Sequence, residues 1–168
     1  MIRHFAVVLT IALLAGCAST GSKLQPGATR AEVEKDMGKP TETQVRANGD
    51  TLLFYSRQPD GRAIFAATIG PDGKLRSEVQ QTLTRRNIAG IKAGMQAKEI
   101  RELLGPPGKS GPITVSIAFE PAKRDVWEYL WTDGSEMRKL YLQFSTDGVL
   151  REKIDGLDFE NDKTKSMP

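Results

Sequence analysis

The feature of this sequence that most limits its fold is an internal repeat. The segment Leu24–Val33 recurs as Ile91–Ile100, 67 positions later, and the Gly38 and Pro40 that follow it recur at the same offset. The segment Asp72–Arg76 also recurs, 75 positions later, so the second copy is about eight residues longer. A period near 70 exceeds that of solenoid repeats and predicts a duplicated small domain.

Each copy is predicted to begin with a helix. In the first copy Thr29 and Glu32 have the spacing of a capping box, and Gly38 is placed to end the helix. In the second copy the apolar stripe lies within Ile100–Leu104, and a Gly-Pro-Pro sequence follows it. A further short helix is expected at Thr84–Gly90, just before the second copy begins.

Four strands are predicted after each helix, because apolar and β-branched runs alternate there with turn dipeptides. In the first copy they are expected at Thr43–Ala47, Thr51–Ser56, Ala63–Ile69 and Leu75–Leu83. In the second copy they are expected at Thr114–Phe119, Val126–Trp131, Arg138–Phe144 and Val149–Ile154. The predicted fold class is α+β, with two tandem helix-plus-four-strand antiparallel units at residues 24–83 and 84–158, packed as one body. The polar tail 159–168 is expected to be disordered.

The N-terminus has the pattern of an export signal. Arg3 supplies a positive charge before Phe5–Leu14, where nine of ten residues are apolar. This stretch is too short to span a bilayer, which takes about 20 residues, and it fits the apolar region of a secretory signal. Residues 1–16 are therefore predicted to be a signal peptide.

Cys17 is the predicted lipidation site. The sequence Leu14–Cys17 resembles the lipobox of bacterial lipoproteins, in which the cysteine is lipidated and the chain is cut before it. The alternative is an ordinary signal peptide followed by a free thiol in an exported protein. Residues 17–23 would form a short lipidated tether, and Ala18 favours the outer membrane by the lipoprotein sorting rule.

The inventory of reactive side chains argues against an enzyme. The chain has one cysteine and one histidine, His4, which lies inside the predicted signal. Triads, Cys/His pairs and His-ligated metal sites therefore lack their parts, and no metal, cofactor or small-molecule substrate is expected. Cleavage before Cys17 would leave 23 Lys and Arg against 21 Asp and Glu, a formal charge of +2. That excess is too small to indicate nucleic-acid binding.

The second copy resembles a known family. The segments that carry the resemblance are Ile91–Met95, Leu104–Pro107, Asp125–Tyr129, Leu140–Phe144 and Asp147–Leu150. They are similar to the SmpA/OmlA family of small outer-membrane lipoproteins, which includes BamE, a subunit of the β-barrel assembly machinery. The first copy departs from the pattern, with Ala28 in place of a methionine and Phe54-Tyr55 in place of W-x-Y. The tandem arrangement also resembles the β-lactamase-inhibitor-protein fold, in which two such units form one curved sheet.

The aromatic strand Trp127, Tyr129 and Trp131 allows two interpretations. It could be an exposed patch for a partner, or core packing with Glu128 on the wet face. We expect Trp127 and Tyr129 to be core, and Trp131, beside a turn, to be the most exposed. The candidate partner-binding residues are Trp131, Tyr141, Arg85 and Arg86; the arginines could alternatively contact anionic lipid or simply lie on a solvated face.

The resemblance implies a non-catalytic lipoprotein on the periplasmic face of the outer membrane. Its expected partners are envelope proteins, the β-barrel assembly machinery among them, in an accessory or scaffold role. The alternative is a periplasmic binding module of the inhibitor type, whose sheet would grip a soluble enzyme.

Overall fold

The computed structural model describes residues 22–117 and 120–158. These residues form two four-stranded antiparallel sheets and three helices, an α+β architecture. The helices are α1 (Arg30–Met37), α2 (Arg85–Gly90) and α3 (Ala97–Leu104). All three were predicted, and Thr29 and Glu32 form the expected capping box at the start of α1. Within the described residues, no helix has the length and apolar character needed to cross a membrane.

The first sheet has the strand order β1-β2-β3-β4 and the second has the order β5-β6-β7-β8. The first comprises β1 (Glu42–Val45), β2 (Thr51–Ser56), β3 (Ile64–Ile69) and β4 (Gln80–Gln81). The second comprises β5 (Lys109–Ile117), β6 (Glu120–Asp133), β7 (Glu136–Phe144) and β8 (Leu150–Leu157).

The prediction of a long fourth strand at Leu75–Leu83 is wrong, because only Gln80–Gln81 forms a strand there. Leu75 makes an isolated bridge to Ile69. Its N–H donates to the Ala28 carbonyl at 2.8 Å, and its own carbonyl accepts from the Gly27 N–H at 2.8 Å. The loop before α1 therefore takes the backbone groups that a continuous strand would have used.

The same loop contact occurs before α3. The Gly94 N–H donates to the Leu150 carbonyl at 2.8 Å, and the Leu150 N–H donates to the Met95 carbonyl at 2.8 Å. Gly27 and Gly94 have φ angles of 95° and 93°, a left-handed conformation that favours glycine. The loops before α1 and α3 thus make the same backbone contacts. The loop before α1 bonds to Leu75, and the loop before α3 bonds to Leu150, 75 positions later.

The first sheet is covered on both faces. On one face Leu53, Tyr55 and Phe65 pack in a core with Val33 of α1. On the other face, side chains from β2 and β3 pack in a larger core with residues of α2, α3 and the second sheet. The first sheet contributes Leu52, Phe54 and Ile64 to that core. The residues that α2, α3, the second sheet and the adjoining loops contribute are Leu83, Ile88, Ile91, Ile100, Leu104, Trp127, Tyr129, Trp131, Leu140, Leu142, Phe144 and Leu150.

Polar contacts join the two sheets at one end. The Gln58 side chain pairs with the backbone of Leu130: its Nε2 donates to the Leu130 carbonyl, and the Leu130 N–H donates to Oε1 at 2.9 Å. The Arg62 guanidinium lies 2.5 Å from a carboxylate oxygen of Asp158, whose side chain is fully buried. Lys139 Nζ lies 3.5 Å from the other oxygen. We call Gln58, Arg62 and Asp158 with these contacts the clasp.

Gly105 lets the end of α3 approach the first sheet closely. It ends α3 with a φ of 85°, and a Cβ added there would lie 2.7 Å from the Phe54 ring and 3.0 Å from Ile64. Real Cβ atoms do not tolerate that distance, so a side chain here would push β2 and β3 away from α3. Glycine is therefore required both by the backbone and by the packing.

Candidate partner-binding surfaces

The three aromatic side chains of the strand Trp127–Trp131 are all buried. The prediction that Trp127 and Tyr129 are buried is confirmed. The prediction that Trp131 is the most exposed of the three is wrong, because it is only 2% exposed. Its Nε1 donates to Asp155 Oδ1 at 3.1 Å, and the Arg138 guanidinium lies 5.6 Å from the ring centroid. The partner-binding prediction for Trp131 therefore loses the exposure on which it rested.

Tyr129 joins this strand to the end of α3. Its hydroxyl is buried and donates to the Gly105 carbonyl at 3.0 Å, which satisfies a carbonyl at the end of α3. Burial raises the pKa of Tyr129 far above its ordinary value, with a smaller opposing effect from Arg101. The hydroxyl stays protonated and acts as a structural donor.

Tyr141 lies on the opposite face of the second sheet. It is directly across from Glu128 on β6 and from Ile154 on β8, and Glu128 is in turn across from Lys109 on β5. The four residues form one row across all four strands. Tyr141 is half-buried, and Ile154 is 45% exposed.

This face is open at one end and covered at the other. Toward β5 it continues through Val126 to Ile113, which is also exposed. Toward the clasp, Leu130 is buried although it points to the same side as Glu128. The region around Tyr141, Ile154 and Val126, which we call the open face, is the part of the second sheet that no described helix covers.

The two predicted arginines have different surroundings. The Arg85 side chain is 80% exposed and its Nη2 lies 2.6 Å from Asp133 Oδ2. Arg86 is exposed on the same short helix. An exposed pair of this kind contributes little to stability, about 0–1 kcal/mol.

A second surface lies where β1 of the first sheet meets α3. A groove of about 460 Å³ is lined by Gln44, Val45, Ala97, Lys98, Arg101 and Trp127, together with Glu42 and Glu102. Val45 is 69% exposed, the most exposed large apolar side chain among the described residues. Neither sheet alone could form this groove, which we call the junction groove.

Charge is largely paired in the junction groove. Arg101 makes two contacts with Glu42, at 2.8 and 2.5 Å, and its guanidinium lies 5.5 Å from the Trp127 ring. The hydrogen bond from Arg101 holds the pKa of Glu42 below its ordinary value, against the opposing effect of burial. Sequence analysis missed this surface, because it depends on the packing of residues far apart in the chain.

The predicted lipidation site, Cys17, lies outside the described residues, as do the predicted signal peptide and the tail 159–168. Among the residues that the structure does describe, no three His, Cys, Asp or Glu side chains are grouped so as to hold a metal ion.

Comparison with models of known protein families finds no match, and comparison with curated protein sequences finds none either. The resemblance to the SmpA/OmlA family therefore depends on the residues quoted above.

Proposed function

We propose that this chain is a non-catalytic lipoprotein of the outer membrane that binds other envelope proteins. The observation that carries the proposal is the second sheet, one face of which forms the core through Trp127 and Tyr129 while the other presents Tyr141 and Ile154. A sheet built in this way offers a broad binding surface on a rigid support.

The proposal includes a tandem arrangement of two helix-plus-four-strand units that resemble the SmpA/OmlA family. The matching loop contacts at Gly27 and Gly94 support it, as do the equivalent helix ends at Gly38 and Gly105, with φ angles of 84° and 85°. A duplicated unit would keep such backbone details even where side chains have diverged.

Membrane attachment through Cys17 is part of the same proposal. Two or more acyl chains give stable anchoring, whereas one gives reversible binding. Replacing Cys17 with Ser is expected to release the protein from the membrane fraction. Unchanged fractionation and unchanged mass would contradict lipidation.

The partner is tested by capture from solubilised envelopes. The chain should co-purify with a large β-barrel protein, as the family resemblance implies. Tyr141→Asp should reduce this capture about tenfold, because it removes the large aromatic side chain at the centre of the open face. Gln80→Asp, which introduces the same residue at an exposed position of the first sheet, is the control and should capture normally.

The inhibitor-type alternative gives a different result in the same experiment. A soluble periplasmic enzyme as the main captured protein would favour that alternative. Capture of no envelope protein, or capture that is equal for Tyr141→Asp and the parent chain, would contradict the proposal for the open face.

A further inference from the structure

We infer that the junction groove binds an extended segment of a partner protein, which adds as a fifth strand to the free edge of β1. This deepens the proposed function and rests on it, because it specifies what the lipoprotein recognises in an envelope protein. It concerns a surface distinct from the open face.

One edge of β1 is free, because among the described strands β1 has one neighbour, β2. The Arg46 N–H donates to the Asp50 carbonyl at 2.8 Å across the turn, and Gln44 is opposite Leu52 two residues before Arg46. In an antiparallel ladder the hydrogen-bonded positions alternate, so the N–H and C=O groups of Thr43 and Val45 point away from β2. These are the groups that an incoming strand would pair with.

The junction groove provides space beside the free edge of β1. Glu42 and Gln44 lie on the α3 side of β1, and the groove continues from them to Ala97, Lys98 and Trp127. A strand added to β1 would direct alternate side chains into this space. A volume of about 460 Å³ accommodates an aromatic side chain against Ala97 and Trp127.

The charged side chains of the junction groove indicate which residues a bound segment should carry. Arg101 is paired with Glu42, and Glu102 lies 3.7 Å from Arg46. Within the described part of the chain, Lys98 has no carboxylate at salt-bridge distance, and it is exposed at the rim. The groove therefore favours a carboxylate beside Lys98 and an apolar side chain beside Trp127. In an extended segment, residues two apart share a face, so the recognised pattern is an aromatic residue and an acidic residue at positions i and i+2.

Two peptides of identical composition test this pattern. The first is acetyl-Thr-Thr-Phe-Thr-Glu-Thr-Thr-amide, which places Phe and Glu on one face. The second is acetyl-Thr-Thr-Phe-Glu-Thr-Thr-Thr-amide, which places them on opposite faces. We expect the first to bind the full chain in lipid nanodiscs about tenfold more tightly, measured by fluorescence anisotropy of labelled peptides. Equal binding of the two, or binding of neither, would overturn the inference.

Two protein variants test the binding mode. Val45→Pro removes an outward N–H that the β1–β2 ladder does not use, and it should weaken the first peptide about tenfold while the melting temperature stays unchanged. Lys98→Glu leaves the strand intact and should weaken that peptide while strengthening the same peptide with Lys in place of Glu. Peptide binding that neither variant alters would overturn the inference.

The outcomes separate this inference from the proposed function. If the parent chain captures envelope proteins but the two peptides bind equally or not at all, the strand-addition mode is wrong and the proposed function stands. If the peptides bind as expected but no envelope protein is captured, the groove is a peptide site and the proposed function fails.

Discussion

The first and second sheets differ in how many of their faces are buried. In β2 of the first sheet, the consecutive residues Leu52–Tyr55 are all buried, because α1 covers one face and α3 covers the other. In β7 of the second sheet, buried residues alternate with partly exposed ones, because only one face is covered. The first sheet is thus an internal layer that leaves only its edge exposed to a partner. The second sheet still has one partly exposed face.

The difference teaches that joining two sheets through a shared core uses up binding surface. Ile100 and Leu104 of α3 pack in a core that contains residues of both sheets. The face of the first sheet that carries Leu52 and Phe54 is buried in that core and is therefore closed to a partner.

The largest expected effect comes from the layer between the sheets. Phe54→Ala should lower the free energy of unfolding by about 3–5 kcal/mol, since it empties a fully buried aromatic site. Because that core contains residues of both sheets, scanning calorimetry should still show one transition, at lower temperature. Two separate transitions, with the upper one unchanged, would break the comparison. Ile154→Ala, on the open face, is the control and should change the unfolding free energy by about 0.5 kcal/mol or less.

The next effect concerns the clasp. Arg62→Met should cost about 2–3 kcal/mol in urea unfolding, because it takes the guanidinium away from the buried Asp158 carboxylate. Arg85→Met removes an arginine of the same size from an exposed pair and should cost about 0–1 kcal/mol. Equal costs for the two variants would show that the clasp has the strength of a surface contact.

A smaller effect is expected at Gln58. Gln58→Ala should cost about 1–2 kcal/mol, since both backbone groups of Leu130 lose their side-chain partner. Amide hydrogen exchange should rise selectively at Leu130, next to the clasp. Gln80→Ala, at an exposed position, should leave both measurements unchanged. Unaltered exchange at Leu130 in the Gln58 variant would contradict the bridging role.

The smallest effect is a dependence on pH at the junction groove. The pKa of Glu42 is lower in the folded protein than in the unfolded chain, where it is about 4.3. Its contribution to stability is therefore complete above that unfolded value and is lost as pH falls through the folded pKa. Glu42→Gln should flatten the acid limb of a plot of stability against pH. An unaltered limb, relative to the parent chain, would contradict the role of this pair.

The sequence predicted what depends on local chemistry. Thr29 with Glu32, and Gly38 and Gly105 as helix ends, were recognisable because capping and left-handed turns need particular residues. The buried Trp127 and Tyr129 followed from their alternation with Glu128.

The predictions that were wrong concern features that depend on residues distant in the sequence. Trp131 was expected to be exposed because it is near a turn, but Asp155 and Arg138 cover it from neighbouring strands. The strand at Leu75 was broken by a loop 48 residues earlier, which no local pattern shows. The junction groove was missed for the same reason. One signal was available: the unbroken apolar run Leu52–Tyr55 is typical of a strand buried on both faces.

The clasp also sets an order of events during folding. Asp158, the residue that Arg62 holds, lies 96 positions further along the chain. Helix α1 and the β2–β3 pair are formed by residues close together in the sequence, so they can form before the clasp closes. Loop closure over a separation of this size is entropically costly and comes late. A chain truncated before Asp158 would therefore leave that end of the two sheets unfastened.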